Sequence, residues 1–324
     1  MSLRVLHLCP GADTGGQSAR ITAAFRKHAP GWEMRFMASS QSYLKYPQET
    51  PWDVEKAREL YRWADVVHHH NRLSLYEAFD EGQRKPTILH HHGSRLRGNP
   101  VAMAREGASI GATQLVSTID LLDDCPDAKW LPAPFDFDEL QERYGGRTRR
   151  HPPVRIAHAP TDRRVKSTAL ILKAAERVSQ RQQLVFDLIE NVPWKVCLSR
   201  KSLSHLFIDQ LKLGYGNNAI EAWVFGIPVI AGLEEPADRE RFLAELGELP
   251  FYEASETNIE TAIEAMVTSP ELRAEWGAKG LAHAEKYHSD RAVVERLKGI
   301  YESAGKTKGA KHLKLFAPVR RRAA

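Results

Sequence analysis

Short apolar runs alternate with helix-forming stretches along this chain, and this alternation restricts the possible folds more than any other feature. Helical or loop segments separate most of the apolar runs of the first half, which lie at 3–9, 33–39, 64–70, 86–93, 113–118 and 128–134. Strands that alternate with helices predict a parallel sheet with helices on both faces.

A stretch without apolar periodicity, "GGRTRRHPP" at 145–153, interrupts this pattern, which then starts again. Its Gly, Arg and Pro content predicts a linker. We therefore expect two α/β domains, 1–150 and 151–304, followed by a tail at 305–324. Ligands of such sheets bind outside the carboxyl ends of the strands, so the default site is a cleft between the two domains.

The formal net charge of +5 is concentrated in the tail. Residues 305–324 hold seven Lys and Arg and no acid, whereas the rest of the chain has 39 basic and 41 acidic residues. A segment of this kind can contact an anionic membrane or nucleic acid, and its other interpretation is a solvated terminus. The basic character therefore belongs to the tail rather than to a whole surface.

The cysteines indicate a reducing compartment. Cys9, Cys125 and Cys197 are odd in number and widely scattered, and no pair has zinc-finger spacing. No window approaches the ~20 apolar residues of a membrane span, and the first residues lack the pattern of a secretory signal. We expect a cytoplasmic protein.

Two junctions between a strand and a helix carry residues that suit an anion. Gly15 and Gly16 follow the first strand and would let backbone N–H groups approach an anion at a helix start; a simple turn is the alternative. Arg163, Arg164 and Lys166 precede or open a later helix, where cations oppose the helix dipole. A bound anion would remove that conflict, and a solvated basic turn is the alternative.

A third junction places one acid in an apolar segment. Glu221 lies within 219–225, directly after a turn that contains Gly214, Gly216, Asn217 and Asn218. A carboxylate in a largely buried helix needs hydrogen-bond donors. The two hydroxyls of a ribose would supply them, and the alternative is a bond to the backbone or to a nearby arginine.

Seven segments occur in a characteristic order: "RVLHLCPGADTGGQ", "ADVVHHHN", "KPTILHHHGSRLR", "VSTIDLLDDCPDAKWLPAPFD", "IAHAPTDRRVKST", "IDQLKLGYGNNAIEAWVFGIPVIAG" and "HSDRAVVERLKGIYES". Together, over residues 3–303, they resemble the GT-B glycosyltransferases of the retaining group 1, or family 4. The resemblance implies two Rossmann-like domains that face each other across a cleft. It also implies a nucleotide-sugar donor such as a UDP- or GDP-sugar, transfer with retention, and no metal or cofactor.

The resemblance implies a role for each site residue. Glu221 would bind the ribose, and Lys166 with Arg163 or Arg164 would neutralise the diphosphate. His92, at the end of "HHHG", would lie beside the transferred sugar. The backbone near the donor would come from Gly15, Gly16, Gly216, Asn217 and Asn218. For the acceptor we expect a glycan or a lipid-linked glycan, as in polysaccharide biosynthesis, and the lipid-linked form rests on the basic tail.

Three positions depart from the family pattern. Leu213 replaces the first Glu of the E-x7-E motif, and Asp209 is the candidate to replace that acid. Ser167 replaces a common Gly, and Thr161 a common Arg. These departures leave open a non-catalytic relative, a GT-B nucleotide-sugar epimerase, or a glycosyltransferase that modifies nucleic acid through the basic tail.

Two further patterns suggest metal ligands. The runs His68–His70 and His90–His92 lie on strands, where neighbouring side chains point to opposite faces, so three consecutive histidines cannot converge. Asp136 and Asp138 form a D-x-D pattern, but in the predicted connection between the domains, which favours a structural role. We therefore predict no metal site.

Overall fold

The computed structural model describes residues 2–12, 15–40, 50–73, 85–146 and 153–306, and its first half is built on a seven-stranded sheet. The strand order is β3-β2-β1-β4-β5-β6-β7, and all neighbouring pairs are parallel. In chain order, β1 to β7 are Arg4–Ala12, Glu33–Ser40, Thr50–Pro51, Val66–His70, Thr87–His91, Thr113–Val116 and Lys129–Trp130.

Helices cover this sheet because successive strand residues face opposite sides, and both sides carry apolar residues. One side buries Val5 against Phe25 of the first helix, and the other buries Leu6 against Leu60 and Tyr61 of the second. The helices α1 to α6 are Gln17–His28, Val54–Trp63, Ser94–Gly98, Pro100–Ser109, Leu121–Asp124 and Phe137–Tyr144.

The second half is built on a six-stranded sheet of order β11-β12-β10-β8-β9, with β13 beside β12. Only β11 is antiparallel among these pairs. The strands β8 to β13 are Val154–His158, Leu184–Leu188, Leu206–Ile208, Leu213–Gly214, Val229–Leu233 and Tyr252–Glu253. The helices α7 to α12 are Thr168–Ser179, Trp194–Lys201, Asn217–Val224, Pro236–Leu246, Ile259–Thr268 and Pro270–His283. The predicted α/β fold with two sheets is confirmed.

The last helix, α13 at Asp290–Lys306, returns to the first sheet after a π-helical turn at Ala284–His288. Its buried stripe, which includes Leu297 and Tyr301, packs against α1 and the first sheet. The sequence assigned these residues to the second domain because they follow it in the chain. Their apolar stripe completes the core of the first domain instead.

Parts of two predicted segments lie outside the described residues. These are 147–152 of the linker and 307–324 of the basic tail. In the part of the chain that is described, none of the helices combines the length and the apolar character that crossing a membrane requires.

Candidate active site

A cavity of about 580 Å³ lies where the two halves of the chain meet. Asn71, His92 and Ser117 of the first half and Ala159 and Ile189 of the second line it. Each of these residues directly follows the end of a strand. The cavity therefore occupies the position that two parallel sheets predict, at the carboxyl ends of their strands.

Glu221 lies in this cavity wall, in the second turn of α9, and only 2% of its surface is exposed. Its Oε2 accepts a hydrogen bond from Lys201 Nζ at 2.5 Å, and its Oε1 accepts one from Trp194 Nε1 at 2.7 Å. Lys201 is completely buried and also donates to the backbone oxygen and Oδ1 of Asn218. The counterion of Glu221 is therefore Lys201 on α8, a residue that the sequence pattern did not point to.

These two donors do not exhaust the carboxylate. Each oxygen of an ionised Glu has two lone pairs, and Lys201 and Trp194 each take one direction. Because Glu221 lines the cavity, its remaining lone pairs can accept hydrogen bonds from a ligand there. Trp194, Asn217 and Asn218 line the same wall.

Lys166 lines the cavity, and Asp209 holds it in place. Lys166 Nζ donates to Asp209 Oδ1 at 2.6 Å, and the Gly216 N–H donates to Asp209 Oδ2 at 2.7 Å. Asp209 is 1% exposed and does not line the cavity. From the sequence, Asp209 is the candidate to replace the missing Glu of the E-x7-E motif. In the structure it lies behind Lys166 and Gly216, with both oxygens already bonded.

The structure does not bring Arg163 or Arg164 into the cavity wall. The Arg163 side chain is 61% exposed and pairs with Glu190 at 2.5 Å. This guanidinium lowers the pKa of Glu190, which does line the cavity.

Two other arginines, Arg72 and Arg95, line the opposite wall. They follow the two "HHH" runs in the sequence, at the ends of β4 and β5, and this position after a strand is the sequence signal for them.

Gly15 of the first half and Gly216 of the second half both line the cavity. Gly15 lines it, and its carbonyl accepts a bond from Asn217 Nδ2 at 3.4 Å across the two halves. Gly16 starts α1 with φ of 64°, a left-handed conformation that suits glycine. Ser167 adopts φ of 52°, and its buried hydroxyl has no partner among the described residues. A left-handed backbone explains why glycine is common at this position in the family that the sequence resembles.

His92 lines the cavity, and both of its ring nitrogens are bonded. Nδ1 lies 2.6 Å from Ser117 Oγ, and Nε2 lies 2.7 Å from His70 Nδ1. The backbone N–H of His92 donates to Asn71 Oδ1. Burial lowers the pKa of His92 to about 3, so the ring is neutral at neutral pH.

The D-x-D pattern lies at the start of α6. Asp136 Oδ1 accepts from the Glu139 N–H and from Lys27 Nζ. Asp138 also pairs with Lys27, at 3.3 Å. These contacts cap a helix and tie it to α1, which is a structural role.

The sequence matches no protein-family model, and no curated protein matches it. Solved structures do match along nearly the whole chain. Anabaena Alr3699/HepE in complex with UDP-glucose has a TM-score of 0.64 and 13% identity, and the match covers 93% of this chain and 100% of that one. An alpha-glucosyltransferase in complex with UDP and a 13-mer DNA has a TM-score of 0.66 and 10% identity, with coverage of 93% and 100%.

A glycosyltransferase from Rickettsia africae ESF-5 has a TM-score of 0.65 and 10% identity, and the match covers 94% of this chain and 99% of that one. At such identities the likeness establishes the fold. The chain therefore has the GT-B fold of glycosyltransferases.

Proposed function

We propose that the protein transfers a sugar from a nucleotide-diphosphate sugar to an acceptor hydroxyl. The observation that carries the proposal is the wall formed by Glu221, Lys166 and the start of α9. It places a carboxylate, an ammonium group and a helix N-terminus along one side of a single cavity. Similar structures that hold UDP or UDP-glucose in the same fold add support.

Each part of such a donor has a chemical counterpart in this wall. The Glu221 carboxylate accepts from the ribose hydroxyls. The diphosphate accepts from the Lys166 ammonium group and from the backbone N–H groups of Asn217 and Asn218, which begin α9. Gly15 brings the backbone of the first half close to the same region.

The proposed reaction breaks the bond between the sugar carbon and the diphosphate oxygen, and the leaving diphosphate keeps the electron pair. Lys166 and the helix N–H groups stabilise the negative charge that grows there, without Mg²⁺ or Mn²⁺. The acceptor hydroxyl attacks on the face that the diphosphate leaves, so the configuration is retained. Its proton passes to the departing phosphate oxygen. His92, whose ring nitrogens are both bonded within the protein, lies beside the sugar and does not act as a base.

A binding and turnover panel tests the proposal. Isothermal titration against UDP-, GDP- and ADP-sugars is expected to find one preferred nucleotide, and NMR is expected to show slow hydrolysis of that donor. Binding without hydrolysis or transfer would favour a non-catalytic relative. A second nucleotide sugar that forms without release of nucleotide would favour an epimerase, and no binding at millimolar concentrations would contradict the proposal.

For the acceptor, we propose a lipid-linked glycan at the cytoplasmic face of an anionic membrane. The support is the basic tail, whose seven cations are accompanied by Leu313, Leu315, Phe316 and Val319. Basic residues near an anionic surface contribute roughly 1 kcal/mol each, and the apolar side chains add insertion at the interface. The second candidate is a nucleic-acid acceptor, which one similar structure with bound DNA favours.

Deletion of residues 307–324 is expected to abolish most sedimentation with anionic liposomes at low salt and to leave donor hydrolysis unchanged. The deletion begins just after α13, so the described core stays intact. Raising the salt concentration is expected to reduce binding of the full chain, because exposed charges are screened. Equal sedimentation of both proteins would contradict the membrane role. Tail-dependent retention on DNA without liposome binding would favour the nucleic-acid acceptor.

A further inference from the structure

Five histidine side chains converge on one face of the first sheet. His7 on β1 lies beside His68 on β4, and His70 on β4 lies beside His90 on β5. His92 follows on the same face, because alternate strand residues share a side. The alternation predicted from the sequence is present. The cluster forms because three neighbouring strands, β1, β4 and β5, each contribute to it.

The cluster is hydrogen-bonded in an ordered way. His70 Nε2 lies 2.9 Å from His7 Nδ1. Ser117 Oγ lies 2.6 Å from His92 Nδ1 and 3.0 Å from His90 Nε2. The other nitrogen of His90, Nδ1, is buried and has no partner among the described residues. In each of the rings of His70, His90 and His92, one nitrogen is held by His7 or Ser117. Of the second nitrogens, His90 Nδ1 has no described partner, and His70 Nδ1 and His92 Nε2 bond each other.

We propose that His70, His90 and His92 bind one divalent transition-metal ion that prefers imidazole, with Zn²⁺ as the reference ion. The donors would be His70 Nδ1, His92 Nε2 and His90 Nδ1. One nitrogen from each of the three rings lies within 4.8 Å of one nitrogen from each of the other two. Zn–N bonds of about 2.0–2.1 Å in a tetrahedron separate the nitrogens by about 3.3 Å. His70 Nδ1 and His92 Nε2, now 2.7 Å apart, need to open by roughly half an ångström.

The surroundings suit a metal centre. Ser117 and His7 hold the far nitrogens of the three rings, as outer partners do in metal sites, where they fix the ring orientation. Burial lowers the pKa of His70, His90 and His92, so the rings are in the neutral form that binds metal.

The cavity would let the ion reach the three histidines and would hold its fourth ligand. His70 and His92 line the cavity, so an ion can enter from it and expose one coordination position to it. Histidine alone makes up the ligand groups found among the described residues, so a cavity water or an anionic oxygen would complete the tetrahedron. A second triad, His7, His68 and His70, is completely buried, and His7 and His68 do not line the cavity. This difference in access favours the triad of His70, His90 and His92.

Metal titration of the full chain, after dialysis against a chelator, tests the site. A single equivalent of Zn²⁺ is expected to bind, and Co²⁺ is expected to give the visible absorption of a tetrahedral nitrogen site. His90→Phe is expected to weaken Zn²⁺ binding by at least ~100-fold. His91→Phe is the matched control, because His91 is a buried neighbour on the same strand that bonds Gln114 on the opposite face. It is expected to bind as the wild type does.

Anomalous diffraction from zinc-soaked crystals of the wild type locates the ion even if a variant fails to fold. One peak within bonding distance of His70, His90 and His92 is expected. A folded wild type that binds no Zn²⁺ would overturn the proposal, as would equal weakening by both Phe variants or a peak between His7 and His68. Every readout is metal binding itself, so the outcome is independent of sugar transfer.

Discussion

Replacing Glu221 with alanine is expected to lower the free energy of unfolding by about 3–5 kcal/mol, because the change leaves a buried ammonium group without its carboxylate. Lys201 is completely buried, and its remaining hydrogen-bond partner, Asn218, is neutral. Urea denaturation of both proteins measures the difference. Loss of donor binding in this variant would therefore mix a structural effect with a binding effect.

A second variant separates the two effects. Glu221→Gln combined with Lys201→Met removes both charges and keeps similar volumes, so most of the lost stability is expected to return. Nucleotide binding is still expected to weaken by about 1.5–3 kcal/mol, which is the cost of a lost hydrogen bond to a charged group. Unchanged donor affinity in the stable double variant would contradict the ribose role. An unfolding free energy of Glu221→Ala equal to that of the wild type would contradict the buried pair.

Replacing Lys166 with methionine is expected to reduce turnover by roughly 10²–10³-fold, the range measured when one donor to a developing charge is removed. Nucleoside affinity is expected to change little, because Lys166 acts on the diphosphate, where charge grows in the transition state. Steady-state kinetics and nucleoside titration measure the two effects separately. Methionine keeps the length of the side chain but leaves the buried Asp209 with the Gly216 N–H and without its counterion, so some loss of stability is also expected.

Lys212→Met is the matched control for this prediction. Lys212 is more exposed, pairs with Glu234 and Glu256, and does not line the cavity. Its replacement is expected to leave turnover unchanged. Equal loss of turnover in both variants, or strict dependence of the wild type on Mg²⁺ or Mn²⁺, would contradict the role of Lys166. The proposed histidine site would not cause such a dependence, because Mg²⁺ and Mn²⁺ prefer oxygen ligands.

The sequence alone determined the local elements and their class. Apolar runs of strand length between helical stretches are enough to predict two parallel sheets, because such strands need cover on both faces. The turn before Glu221 and the apolar residues around it likewise predict a buried helix start with one acid. These features depend on neighbours within a few residues, where backbone geometry decides which side chains share a face.

Only the tertiary structure decided the partners of these side chains. Lys201 reaches Glu221 from another helix, and Asp209 bonds Lys166 across 43 residues of sequence. Arg163 turns to Glu190 instead of the cavity. In each case the ion pair depends on how helices and loops pack around the sheet. The periodicity of the local sequence does not predict that packing.

The histidines illustrate the same limit through strand order. The alternation of side chains along a strand correctly places His69 on the opposite face of the sheet from His68 and His70. It does not predict which strands are neighbours. Pairing of β1 with β4 and of β4 with β5 brings His7 next to His70 although 63 residues separate them. The return of α13 to the first sheet then covers the cluster with Tyr301. Long-range pairing of this kind depends on which faces of the sheet are buried under helices. Only the assembled fold defines those faces.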